Sequence, residues 1–239
     1  MAKNRKKKKN KLAVPAGIIT VLFAIGGLVA GIMFCIDKVK TIIDKPAEKA
    51  QYEQFLKPVV MFDPDPFDDL ARADKSQLLY AAVWALLMSD KGIDGYSYSE
   101  GENIGIVVPQ GDIDNYFVSL FGNEIDLNAF RTSIDMSGYG ISYNSATKSY
   151  ILPITGIESA YTPKVYEIEK IGDSVVLSVG YIGNKTFADI SQGEYTAPSP
   201  DKMMAITLRE RNGKRYVSSI QPAGKKDYAD ITINEGMLK

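Results

Sequence analysis

Histidine is absent from this chain and cysteine occurs once, at Cys35. Together these facts remove most of the reactive chemistry open to a protein. Without histidine there is no Ser-His-Asp or Cys-His nucleophile system, no histidine-ligated zinc and no imidazole proton transfer. A lone cysteine allows no intrachain disulfide and no multi-cysteine zinc site. Carboxylate, lysine, tyrosine and serine chemistry remains. Two stretches concentrate such groups. Asp63, Asp65, Asp68 and Asp69 crowd around Pro64 and Pro66, and clustered carboxylate oxygens suit calcium. The proline spacing equally describes a turn leading into a helix. Asp90, Gly92, Asp94 and Gly95 stand where an EF-hand-like loop has positions one, three, five and six. Position three carries no oxygen, and position twelve is Gly101 between Glu100 and Glu102, so the required glutamate is misplaced. A polar surface loop is the expectation there. No catalytic residue, cofactor or metal site is expected.

The elements behind these residues begin with one apolar stretch. Leu12 to Ile36 holds 25 residues without a charge. As a helix at ~1.5 Å per residue it reaches roughly 37 Å, enough to cross a ~30 Å hydrocarbon core. It exceeds the ~7–15 apolar residues of a cleavable signal peptide. Lys3, Arg5, Lys6, Lys7, Lys8, Lys9 and Lys11 precede it with no acid among them. The basic end is therefore expected in the cytoplasm and the C-terminal portion outside, with the bilayer as first partner.

Within that span Ala13, Gly17, Thr20, Ala24, Gly27 and Gly31 recur at spacings of four and three, which lays them on one helical stripe. Gly27 and Gly31 form a small-xxx-small pair that lets two helix backbones approach. The expected self-association surface is Gly17, Ala24, Gly27 and Gly31, with Cys35 continuing the stripe, giving a homodimer.

All 29 acidic residues follow the span, while seven of the 28 basic ones precede it, so the portion beyond carries net charge −8. That argues against a nucleic-acid partner. Five segments are expected: a basic tag over 1–11, the span over 12–36, a juxtamembrane stalk over 37–58, an extracytoplasmic domain over 59–221 and a tail over 222–239. Pro46 interrupts the stalk and Pro58 closes it. Asp74 with Gln77 reads as a capping box. Leu78 to Met88 is apolar throughout and reads as the central helix, with Trp84 as core. Ile113, Tyr116, Phe117, Leu120 and Phe121 make one apolar face of a second helix, started by Asp112 and stopped by Gly122.

Beyond Tyr139 the period changes to that of strands. Three hairpins are expected: Ile141–Asn144 with Ser149–Ile154, Val165–Ile171 with Ser174–Ile182, and Met203–Glu210 with Arg215–Ile220. The last turns on Asn212-Gly213, a strong hairpin signal. The segment Gly183 to Asp201 is a long loop of the kind that carries function. The fold class is α+β, helices first and then an antiparallel sheet of about six strands.

This order over residues 74–221 resembles the NTF2-like or cystatin-like α+β roll. The final hairpin, through Tyr216, Val217, Ser218, Ser219 and Ile220, looks like the one that closes such domains, where a tryptophan often takes the place of Tyr216. A cytoplasmic tag, one span and such an exterior domain is also the layout of an assembly subunit of secretion and conjugation machines. The leading expectation is a membrane-anchored, non-enzymatic binding or assembly domain for an unknown protein or envelope ligand. A subunit of a secretion or conjugation apparatus is one alternative. A carboxylate-dependent envelope hydrolase is another; it needs two acids flanking a cleft.

Overall fold

A computed structural model describes residues 41–43, 45–99, 104–154, 158–183 and 199–223. The described residues all belong to one unit, Thr41–Lys239. The basic tag, the apolar span and the stripe of Gly17, Ala24, Gly27, Gly31 and Cys35 lie outside the described residues. So do most of the long loop, residues 100–103 and the tail from 224.

This unit is α+β, with two antiparallel sheets. Strand β1 (Thr41–Ile43) leads into helix α1 (Pro46–Val60) and helix α2 (Lys75–Leu87). Short strands β2 (Ser97–Tyr98) and β3 (Ile106–Pro109) precede helix α3 (Gln110–Phe121) and the one-turn helix α4 (Leu127–Phe130). Then come β4 (Ser142–Asn144), β5 (Ser149–Leu152), β6 (Tyr161–Ile171), β7 (Ser174–Gly183), β8 (Lys202–Arg211) and β9 (Lys214–Pro222). The larger sheet has the order β1-β6-β7-β8-β9 and the smaller β2-β3-β5-β4.

The three hairpins form as the sequence pattern requires, each with antiparallel pairing. They do not share one sheet. The β4–β5 hairpin joins β3, with Ile106 opposite Leu152 and Pro109 opposite Ser149. A short strand and a short hairpin are each marginal alone, and pairing satisfies the backbone of both. Gly105 permits the approach, since a Cβ there would stand 2.4 Å from the Leu152 carbonyl oxygen. The expected six strands in one sheet are therefore nine in two.

The expected stalk is replaced by a core element. Helix α1 buries Tyr52, Leu56, Val59 and Val60, and β1 pairs with β6. Neither proline breaks it. Pro46 sits at the first helical position, where a missing N–H costs nothing, and Pro58 stands two residues before the last, Val60.

Helix α2 is the central helix expected. Leu78, Leu79, Tyr80, Ala81, Ala82, Val83 and Leu86 are all buried. Its start differs in one detail. Asp74 Oδ1 accepts from the backbone N–H of Ser76 at 2.8 Å, while Gln77 turns to Asp65 instead of completing a capping box. The Asp65 backbone N–H donates to Gln77 Oε1 at 2.9 Å, and Gln77 Nε2 donates to Asp65 Oδ2 at 3.1 Å. Helix α3 buries Ile113, Phe117, Leu120 and Phe121 and ends at Gly122, whose φ of 73° favours glycine. One core joins the helices to both sheets, from Leu56 through Val83 and Phe117 to Leu152, Leu177 and Ile206.

Candidate functional site

A groove opens at one end of the larger sheet. Helix α1 supplies Ala47, Glu48, Gln51, Tyr52 and Phe55, with Lys45 just before it. Ser119 of α3, Leu208 of β8 and Lys214 and Arg215 of β9 complete the lining, around a volume of about 650 Å³. Glu48, Gln51, Tyr52 and Phe55 fall at helical spacing on one face of α1. Hydrogen bonding fixes the wall opposite: Arg215 Nη1 donates to the Tyr52 hydroxyl and Nε lies 3.5 Å from Glu210 Oε2. Lys45 and Lys214 have no ion-pair partner among the described residues. The lining thus holds three cations and one acid beside the apolar Ala47, Phe55 and Leu208.

The groove lies beside the turns of two hairpins. Gly172 and Asp173 of the β6–β7 turn adjoin Asn212 and Gly213 of the β8–β9 turn, and Arg215 reaches both hollows. Thr41 pairs with Lys170 next to the first turn. The chain therefore enters the domain at this same end.

A second constellation is a buried polar network that the sequence did not signal. Arg131 is 4% exposed. Its Nη2 donates to both Asp114 oxygens, at 2.7 and 2.9 Å, and its Nη1 to the Tyr150 hydroxyl at 2.5 Å. The guanidinium also lies over the Tyr143 and Tyr150 rings, 5.6 and 5.7 Å from their centroids. The Tyr143 hydroxyl donates to Gln110 Oε1 at 2.6 Å. Burial pushes the Tyr150 phenol up to about 12, against the lowering effect of Arg131. The arrangement ties the smaller sheet to α3 and α4. Within it Arg131 and Tyr150 are buried, while the Asp114 side chain is 28% exposed.

Tyrosines also gather beside the long loop. Tyr161 and Tyr181 rings meet at 5.6 Å, and Lys202 Nζ lies 5.5 and 5.1 Å from their centroids while pairing with Asp63. Burial raises the Tyr181 phenol far above its ordinary value, and among the described residues its hydroxyl has no hydrogen-bond partner.

The carboxylates singled out in the sequence take separate partners. Asp63 pairs with Lys202, Asp65 with Gln77, Asp68 with Arg72 at 2.7 Å, and Asp69 Oδ1 accepts from the Ala71 N–H at 2.8 Å. Among the described residues no three acidic, histidine or cysteine side chains group to hold a metal ion. In the loop after α2, Lys91 and Tyr96 both reach Asp112, at 3.2 and 2.5 Å. The Tyr96 hydrogen bond is the main cause that holds the Asp112 carboxyl below its usual range. Glu100, Gly101 and Glu102 lie outside the described residues. Trp84 joins an aromatic cluster with Phe62 and Tyr80, at 5.6 and 6.3 Å. Asp112 sits within the first turn of α3, whose N-cap is Pro109.

Among the described residues no helix is long and apolar enough to cross a membrane; residues 12–36 are not among them. No protein-family model matches the chain, and no curated protein or solved structure is significantly similar to it.

Proposed function

We propose that this chain is a membrane-anchored, extracytoplasmic binding or assembly domain and not an enzyme. The observation that carries this reading is the groove between α1, α3 and the β8–β9 hairpin. It is a hollow lined by both apolar and charged side chains, as ligand-binding surfaces are. It holds one carboxylate, Glu48, whereas carboxylate hydrolysis needs two across the scissile bond. The uncharged stretch of 25 residues and the basic tag before it support the anchor. The stripe of Gly17, Ala24, Gly27 and Gly31 supports pairing of two such anchors.

A photo-crosslinking residue at Gln51, in the groove, tests the binding surface in intact cells. Discrete adducts are expected from position 51 and not from position 72, which lines no part of the groove. Equal labelling from both positions would remove the groove as the binding surface.

A further inference from the structure

The groove combines three features that one class of ligand would satisfy together. Its lining carries three cations, Lys45, Lys214 and Arg215, against one acid, Glu48, and it includes the apolar Ala47, Phe55 and Leu208. The uncapped start of α1 opens into it: Lys45 makes no side-chain cap, Pro46 has no N–H, and the Ala47 N–H has no partner among the described residues. The start of a 15-residue helix carries partial positive charge and favours phosphate oxygens.

Chain length narrows the source of that phosphate. Thr41 begins β1 beside Lys170, at the groove end of the sheet. Only Asp37 to Lys40 separate it from the last residue of the apolar stretch, Ile36. Five extended steps reach at most ~18 Å, and the headgroup layer itself is roughly 5–7 Å thick. Thr41, at the groove end of the sheet, is thus only five residues along the chain from the end of the apolar stretch.

We propose that the groove takes the headgroup of an anionic phospholipid from the membrane that anchors the chain, an inference that rests on the anchored reading above. The phosphate meets the α1 N-terminus between Lys45 and Lys214, and Ala47 and Phe55 pack against the glycerol and upper acyl carbons. Arg215, already held by Tyr52 and Glu210, forms the fixed wall. Although the portion beyond the span carries net charge −8, the groove lining holds three cations against one acid.

The test is hydrogen exchange, followed by mass spectrometry, on the full chain in two kinds of vesicle. One is phosphatidylcholine alone; in the other, part of the lipid is phosphatidylglycerol. Exchange at the start of α1 and around the β8–β9 turn should be slower with phosphatidylglycerol. Lys45→Gln and Lys214→Gln should each reduce that slowing by up to about fivefold, the worth of one basic residue near an anionic surface. Arg72→Gln should leave it unchanged. A chain that fails to enter either vesicle and is washed off by carbonate would overturn the anchored reading and this inference together. A chain that inserts but exchanges alike in both vesicles would overturn this inference alone. So would equal protection in neutral vesicles by free glycerol phosphate, a soluble anion, or by polyglutamate, an acidic protein partner.

Discussion

Arg131 and Asp114 form a two-pronged ion pair, the guanidinium Nη2 standing 2.7 and 2.9 Å from the two carboxylate oxygens. Arg131 is 4% exposed as a side chain and Asp114 is 28% exposed. The pair is anchored at one end in the core and at the other near water. Removing the acid leaves a buried cation with only the Tyr150 hydroxyl and a distant Asn128 oxygen as acceptors.

Asp114→Ala should therefore lower unfolding free energy by about 3 kcal/mol, the lower end of the range for breaking a buried pair, because water reaches the acid. Arg131→Met together with Asp114→Leu should recover much of that loss, since an apolar pair of similar volume removes the desolvation cost. Chemical denaturation of the two single variants and the double one checks this. Strict additivity of the single effects would show that the residues do not couple.

Tyr150 and Tyr181 are both buried, and their hydroxyls differ in one respect. The first is bonded to Arg131 and the second has no partner among the described residues. Tyr181→Phe should be neutral or slightly stabilising, whereas Tyr150→Phe should cost about 1.5–3 kcal/mol, the worth of a hydrogen bond to a charged group. The two also shape the alkaline limb of stability. The unfolded chain releases a tyrosine proton near pH ~10, while the folded chain holds that of Tyr150 until about 12. The folded state binds more protons between these values, so stability is whole below the lower one and falls as pH rises through the window. Tyr150→Phe should flatten that fall, by about 3 kcal/mol at its fullest. Denaturation across the alkaline range reads it; an unchanged limb would contradict the assignment.

Much of this fold was legible locally. Asn212 and Gly213 both take positive φ, 53° and 73°, as the dipeptide demands in a two-residue hairpin turn. The face of Ile113, Phe117, Leu120 and Phe121 placed α3 correctly. Helix α1 was read as part of an amphipathic stalk ending near Pro58, and its place in the core was missed, although Tyr52, Leu56 and Val59 keep the spacing of one buried face. The division into two sheets was not legible, because which hairpin pairs with β3 is a long-range choice that no local pattern carries. The groove was hidden for the same reason: α1, α3 and the β8–β9 turn meet only in the fold. Arg131 gave no signal at all, being one arginine after a four-residue helix.

The apolar stretch makes its own prediction. Gly27→Ile or Gly31→Ile should hold two helix backbones apart and weaken pairing in a membrane two-hybrid assay, while replacement of Leu28, off the stripe, should matter less. Paired helices also bring two Cys35 residues together, and the usual Cα separation of ~4.4–6.8 Å makes an interchain disulfide feasible. Oxidative crosslinking should then yield a dimer on non-reducing electrophoresis. Identical behaviour of the glycine and Leu28 variants would count against this register.

The most direct test of the central claim is the side of the membrane on which residues beyond 37 lie. The full chain, carrying one epitope at each end, is exposed to protease added outside intact cells and then probed for both epitopes. Loss of the C-terminal epitope with survival of the N-terminal one is the expected result, because the basic residues crowd only the N-terminal side of the apolar stretch. Protection of the C-terminal epitope while the N-terminal one is digested would reverse the topology and contradict the account.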